Sequence, residues 1–178
     1  MLNRKLIFVA GIHGVGKTTL CNELSSKFSM EHFSASDLIA KEKEEQHLRN
    51  KRVENIGGNQ DHLIVAINKS FNKTNWYLLD GHFCLLNQEN KITRIPYSTY
   101  EGISPTAVLV LVDESANIYD RLSSRDNTRY DLAMLKAFQE EEITYAEYIR
   151  DRLKIPYLQS NPVEDKEDIF TFIDSLLN

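Results

Sequence analysis

Apolar residues along this chain fall into two kinds of pattern that alternate. Short unbroken runs, Leu6 to Ala10, Trp76 to Leu79 and Ala107 to Val112, with a weaker one from Ile155 to Leu158, read as strands buried on both faces of a parallel sheet. Between them apolar residues return at helical spacing. Leu20, Leu24 and Phe28 form one stripe, and Leu63, Ile64, Ile67 and Phe71 form another, with Asn59 or Asp61 placed to cap its start. Leu135, Phe138, Tyr145 and Ile149 mark one side of a long helix over Asp131 to Leu153, on which Glu140-Glu141-Glu142 reads as a solvated face; a last amphipathic helix spans Asp165 to Leu177. Strands alternating with helices predict an α/β fold, an open parallel sheet covered by helices on both faces.

Two stretches break this rhythm. Lys41 to Glu54 mixes both charge signs and runs into Gly57-Gly58, which predicts an exposed helix ending in a turn. Asn87 to Pro105 contains Asn-Gln-Glu-Asn, two prolines and Gly102, and predicts a surface excursion with a hairpin around residues 87 to 91. At 178 residues and 42% apolar content the chain is sized for one domain, residues 1 to 178, with a core of its own.

Charge and cysteine usage narrow the partners. A formal net charge of −5 leaves no broad basic surface to neutralise a nucleic-acid backbone. Cys21 and Cys84 have neither metal-type spacing nor a disulfide-framework pattern and are expected reduced and partly buried. The apolar run after Arg4 and Lys5 is too short for a secretion signal or a membrane span, so a cytoplasmic monomer or homodimer without a membrane partner is expected.

The chemistry begins at Gly11-Ile12-His13-Gly14-Val15-Gly16-Lys17-Thr18, which fits G-x-x-x-x-G-K-[ST] and stands between a buried strand and a helix, as that phosphate-binding loop requires. Its glycines let successive N–H groups, including those of Gly14, Val15 and Gly16, point at phosphate oxygens, with the helix N-terminus behind them. The expected ligands are ATP and Mg2+: Lys17 bridges the β- and γ-phosphates, Thr18 binds the metal and Thr19 reaches the α-phosphate. His13 occupies a variable position, where an exposed histidine without a chemical role is the simpler reading.

Asp80 closes a buried strand at the end where an open α/β sheet places its ligand crevice. There it either holds the Mg2+ shell beside Thr18, positions the attacking hydroxyl or water, or merely caps. His82, two residues on, can face the same site. Asp37 lies where a strand turns into a helix, so Ser36 and Asp37 either cap that helix or line the acceptor pocket. Arg121, Arg125 and Arg129 recur every fourth residue and would share a helix face, closing over the transferring phosphates or forming a salted surface with Asp120 and Asp126. Arg125 falls at the edge of a short lid over about 121 to 131.

On these motifs the chain resembles the P-loop nucleoside monophosphate kinases, closest to the archaeal and nuclear-type adenylate kinases. The resemblance is carried by residues 11 to 20, Ser36-Asp37-Leu38, Asp80-Gly81-His82, the Tyr-Asp-Arg-Leu-x-x-Arg of residues 119 to 125, and Ser160-Asn161. It implies a five-stranded sheet of order 2-3-1-4-5 and a Walker-B-like Asp80 and His82. It also implies lid arginines over ATP, Asn161 against the adenine, and an acceptor region over about 36 to 75. Ser36, Asp37, Lys41 and Arg129 would then hold a small acceptor, a nucleoside monophosphate, and weak ATPase activity would accompany transfer. The departures, Ser34-Ala35-Ser36 before Asp37 and Lys41 in place of an arginine, fall on the acceptor side. A kinase of another small metabolite and a nucleotide-dependent switch or assembly factor are the competing readings.

Overall fold

The computed structural model describes residues 4–49, 58–87, 89, 91–126 and 130–178. β1 (Leu6–Ala10) is the central strand of a parallel sheet, flanked by β3 (Tyr77–Asp80) and β6 (Ala107–Leu111), with β2 (Glu31–Ser34) and β7 (Tyr157–Ser160) at the edges. β4 (Cys84–Leu86) and β5 (Ile92–Arg94) pair only with each other, as an antiparallel hairpin. Counted among the sheet's own strands, the order β2-β3-β1-β6-β7 is the expected 2-3-1-4-5. Every residue of β1, β3 and β6 is buried, so apolar runs without alternation are what such strands require.

Seven helices are described: α1 (Lys17–Phe28), α2 (Ala35–Arg49), α3 (Asn59–Ser70), α4 (Tyr97–Ile103), α5 (Ser115–Asp126), α6 (Leu132–Leu153) and α7 (Lys166–Leu177). α6 starts where the sequence says it should, because Asp131 Oδ1 accepts from the backbone N–H of Ala133 at 2.8 Å and of Met134 at 3.3 Å. The edges shift elsewhere. β3 begins one residue after its apolar run and takes in Asp80, and β7 begins at Tyr157 rather than Ile155. α3 is preceded by Gly58, with no side-chain cap from Asn59 or Asp61. α2 starts directly on the end of β2, which puts Ser36 and Asp37 inside its first turn instead of at a capping position.

Two expectations are corrected by burial. The charged helix is not wholly exposed: Glu42 is 3% exposed, and Lys69 Nζ donates to both of its carboxylate oxygens at 2.6 Å, joining α2 to α3. The remainder of that predicted helix, residues 50 to 54, with Gly57, lies outside the described residues. The excursion over 87 to 105 is superficial only at its hairpin, where Asn87 Oδ1 accepts from the N–H of Glu89 and Lys91 at 2.9 Å. The rest is α4, which sends Tyr100 and Ile103 into the core, while the buried Arg4 guanidinium donates to the Gly102 and Ile103 carbonyls at its C-terminal end at 2.9 Å.

Below the C-terminal ends of β1 and β3 the core is aromatic. Phe83 packs on Phe8 at 5.1 Å and on Tyr100 at 4.8 Å between ring centroids. The Tyr100 hydroxyl donates to the His82 carbonyl at 2.8 Å and the Tyr145 hydroxyl to the Ile95 carbonyl at 2.7 Å, so both polar tips are satisfied inside. Cys21 and Cys84 are buried and free, as expected. Among the described residues no helix is long and apolar enough to cross a membrane. Phe83→Ala is expected to cost about 3–5 kcal/mol of stability by urea denaturation, the range for emptying an aromatic site in a packed core.

Candidate active site

The chain leaves β1 through a loop that only glycine fits. Gly11 has φ +142°, and a Cβ there would lie 2.7 Å from the Leu111 carbonyl oxygen; Gly14 has φ +80°, and a Cβ would meet Leu122 Cγ at 2.7 Å. Val15 is buried in the core, so only its backbone is left for a ligand. Lys17 is buried, with Nζ donating to the carbonyls of Gly11 at 2.7 Å and Ile12 at 3.1 Å. Burial pulls its pKa down to about 8, against the pull of the Glu142 and Asp80 carboxylates. Thr18 and Thr19, both exposed, line with Lys17 a pocket of about 390 Å³ that the loop encloses together with Asp80.

Glu142 overturns the solvated-face expectation. It is 1% exposed, and its carboxylate accepts from the N–H of Gly11 at 3.3 Å, Phe83 at 2.8 Å and Cys84 at 2.7 Å. Burial pushes its pKa up to about 7, while those N–H groups and the Lys17 charge work in the opposite direction. A signal was present in the sequence: Phe138, Glu142, Tyr145 and Ile149 share one helical stripe, whereas Glu140 is exposed and Glu141 pairs with Arg94 at 2.5 Å on the outside.

Asp80 stands at the end of β3, buried, with Oδ2 2.6 Å from His32 Nε2; His32 Nδ1 is 3.2 Å from Asn22 Oδ1. His32 went unnoticed in the sequence because only the pairing of β2 beside β3 brings it to Asp80. His82 lines the same pocket as a neutral imidazole: burial drives its pKa to about 2, helped by the Lys17 charge. Its Nδ1 is buried without a hydrogen-bond partner among the described residues, and its ring lies 4.3 Å from that of His13. His13 is exposed, as expected, yet it borders both cavities, and partial burial of its ring followed by the Lys17 charge lowers its pKa as well.

Arg121 and Arg125 both border the cavity beside the glycine loop from α5. Arg121 Nη2 is bonded to the Asp113 carboxylate, and Arg125 reaches Asp126 at 2.5 and 2.7 Å. Arg129 lies outside the described residues. Asn161 is not brought to either cavity: its Nδ2 donates to Asp113 at 3.1 Å, and its Oδ1 accepts from the N–H of Val163 and Glu164 at 2.9 and 3.1 Å, folding its own loop.

A second cavity, of about 450 Å³, adjoins the first and shares with it His13, Ser34, Ser36, Asp80 and His82. Its walls are mostly apolar, with Phe8, Ile39, Leu63, Tyr100 and Ile103 among them, and Lys43, Asn59 and Gln60 add polar groups. Of the residues expected on the acceptor side Ser36 lines it, while Asp37 and Lys41 are exposed elsewhere on α2.

A family model described as an AAA domain matches residues 10–136, a span that holds the glycine loop, Asp80 and both described arginines. UMP-CMP kinase 1 of Oryza sativa subsp. japonica is 26% identical over 188 residues, covering 97% of this chain and 75% of that protein. The crystal structure of a gluconokinase from Sinorhizobium meliloti 1021 aligns with a TM-score of 0.54 at 10% identity, over 99% of this chain and 93% of that one, a likeness of fold alone.

Glu142→Gln leaves one carbonyl oxygen to face N–H groups that now meet two oxygens, and is expected to cost about 1–3 kcal/mol and to weaken nucleotide binding, measured by denaturation and calorimetry. Because the folded pKa is raised from 4.5 to about 7, the native carboxyl's contribution is fully present below 4.5 and lost as the pH rises to about 7. The stability gap between the natural protein and Glu142→Gln is therefore expected to narrow as the pH is raised across that window.

Proposed function

Since this chain belongs to the AAA domain family and has the architecture of a P-loop kinase, we propose that residues 1–178 act as one domain moving the γ-phosphoryl group of ATP to a small molecule in the apolar cavity. The observation that carries this reading is the wall common to the two cavities, beside which a phosphate chain held by the glycine loop would end. The relatives span kinases named for different acceptors, so the expectation of an adenylate-type enzyme widens to a P-loop kinase. A nucleoside monophosphate remains the acceptor that the sequence resemblance implies.

Phosphoryl transfer asks a protein mainly for positioning and charge compensation. The loop N–H groups and the N-terminus of α1 supply a fixed cradle for the phosphates. Lys17, whose charge burial makes costly, exchanges its two carbonyl partners for β- and γ-phosphate oxygens, whose negative charge offsets that cost. Arg121 and Arg125 leave Asp113 and Asp126 for the phosphates, and His82 offers its unpartnered Nδ1 to the reacting groups. Closure of the arginine segment keeps water from competing as acceptor. The exposed Thr18 hydroxyl is a hard oxygen donor of the kind Mg2+ takes, so the pocket fits the ion, which would supply charge compensation on the phosphates. Asp80, also expected in the metal shell, has Oδ2 committed to His32.

Lys17→Ala is expected to lower ATP-dependent ADP formation at least about 10³-fold with the circular dichroism spectrum unchanged, and Arg125→Ala about 10²–10³-fold. Near-normal turnover by folded Lys17→Ala would contradict the mechanism.

A further inference from the structure

The wall between the cavities, Asp80, His82, His13, Ser34 and Ser36, carries a carboxylate but neither lysine nor arginine. Lys43 is the one such cation among the described residues lining the acceptor cavity. An acceptor that brought its own phosphate to this wall would set a second negative charge against Asp80. A hydroxyl brings what the carboxylate can use, a proton. Asp80 is also held in place to receive it, because Oδ2 is fixed by His32 Nε2 at 2.6 Å, His32 is braced in turn by Asn22 at 3.2 Å, and Oδ1 has no hydrogen bond among the described residues. The apolar walls around Phe8, Leu63 and Tyr100 suit a flat ring, with Asn59 and Gln60 able to hydrogen-bond its edge.

We infer that the acceptor is an uncharged, ring-bearing alcohol whose hydroxyl is presented to ATP by Asp80, with His32 as the positioning residue that fixes the carboxylate. This rests on the phosphotransfer reading above. In the step, the acceptor oxygen bonds to the γ-phosphorus and the bond from that phosphorus to the bridging oxygen breaks, its electron pair leaving with ADP. The hydroxyl proton passes to the Asp80 carboxylate. The product is a phosphate monoester of the ring compound.

The test supplies the purified full chain with Mg2+ and ATP and compares adenosine, guanosine, cytidine and uridine with their own 5′-monophosphates, rings that differ only in the phosphate. At least one nucleoside is expected to raise ADP formation about tenfold or more over basal hydrolysis, and its monophosphate less. With that nucleoside, His32→Leu should lower kcat about 10-fold to 100-fold, at most the lower end of what a general base itself contributes because Asp80 remains, while the KM for ATP stays unchanged. His32→Gln, which restores an N–H donor, should recover most of the loss; a parallel fall in ATP binding, or no rescue by Gln, assigns His32 a structural role and overturns its part. Monophosphates outpacing nucleosides overturn the inference and leave phosphotransfer standing. No response to either set also overturns the inference, and phosphotransfer falls with it only if Lys17→Ala leaves basal ADP formation intact.

Discussion

Two parallel neighbours, β1 and β3, end side by side, and the chain leaves them in opposite manners: into the glycine loop after Ala10 and into the Gly81-His82-Phe83 turn after Asp80. The chain here is turning out of the sheet, so the buried N–H groups of Gly11, Phe83 and Cys84 need an acceptor within the protein. The Glu142 carboxylate accepts from all of them. Burying that charge is costly, and the N–H donors and nearby Lys17 offset the cost. The result is a fixed distance between the glycine loop and the segment that carries Asp80 and His82, set by a helix that lines neither cavity.

The electrostatics of the site follow from that buried arrangement. The chain is acidic overall, yet Lys17, Arg121 and Arg125 converge on the cavity beside the glycine loop while the adjoining cavity is mostly apolar. A lysine whose pKa is pulled down to about 8 gains by meeting an anion, and the arginines already hold carboxylates in the way they would hold phosphates. Aromatic packing of Phe8, Phe83 and Tyr100 beneath Asp80 shapes the second cavity and keeps its floor rigid.

Much of this was legible in the residues. The apolar runs located β1, β3 and β6 to within a residue, because strands covered on both faces leave no polar positions to blur the signal, and Gly11 to Thr18 carried its geometry in its glycines. Asp80 was legible because a carboxylate closing a buried strand has few structural reasons to be there. What stayed hidden depends on contacts distant in sequence. Glu142 looked like Glu140 and Glu141 until the stripe through Phe138 and Tyr145 assigned its face. His32 acquires meaning only when β2 pairs with β3. Tyr100 and Ile103 were masked by a prolyl, polar setting, so a helix that walls the acceptor cavity read as a surface excursion. Asn161 was carried over from a resemblance, and here its side chain is used up by its own loop and Asp113.

In the proposed reaction a triphosphate on the glycine loop delivers its terminal phosphoryl group to the wall shared by the two cavities. The most direct measurement is a crystal structure of the protein with Mg2+ and a non-hydrolysable ATP analogue. The account expects the phosphates along Gly14 to Thr18, with the γ-group within reach of Asp80 and Ser36 and facing the apolar cavity. A triphosphate whose γ-group turns away from Asp80 toward solvent, or whose phosphates lie off the loop, would contradict it.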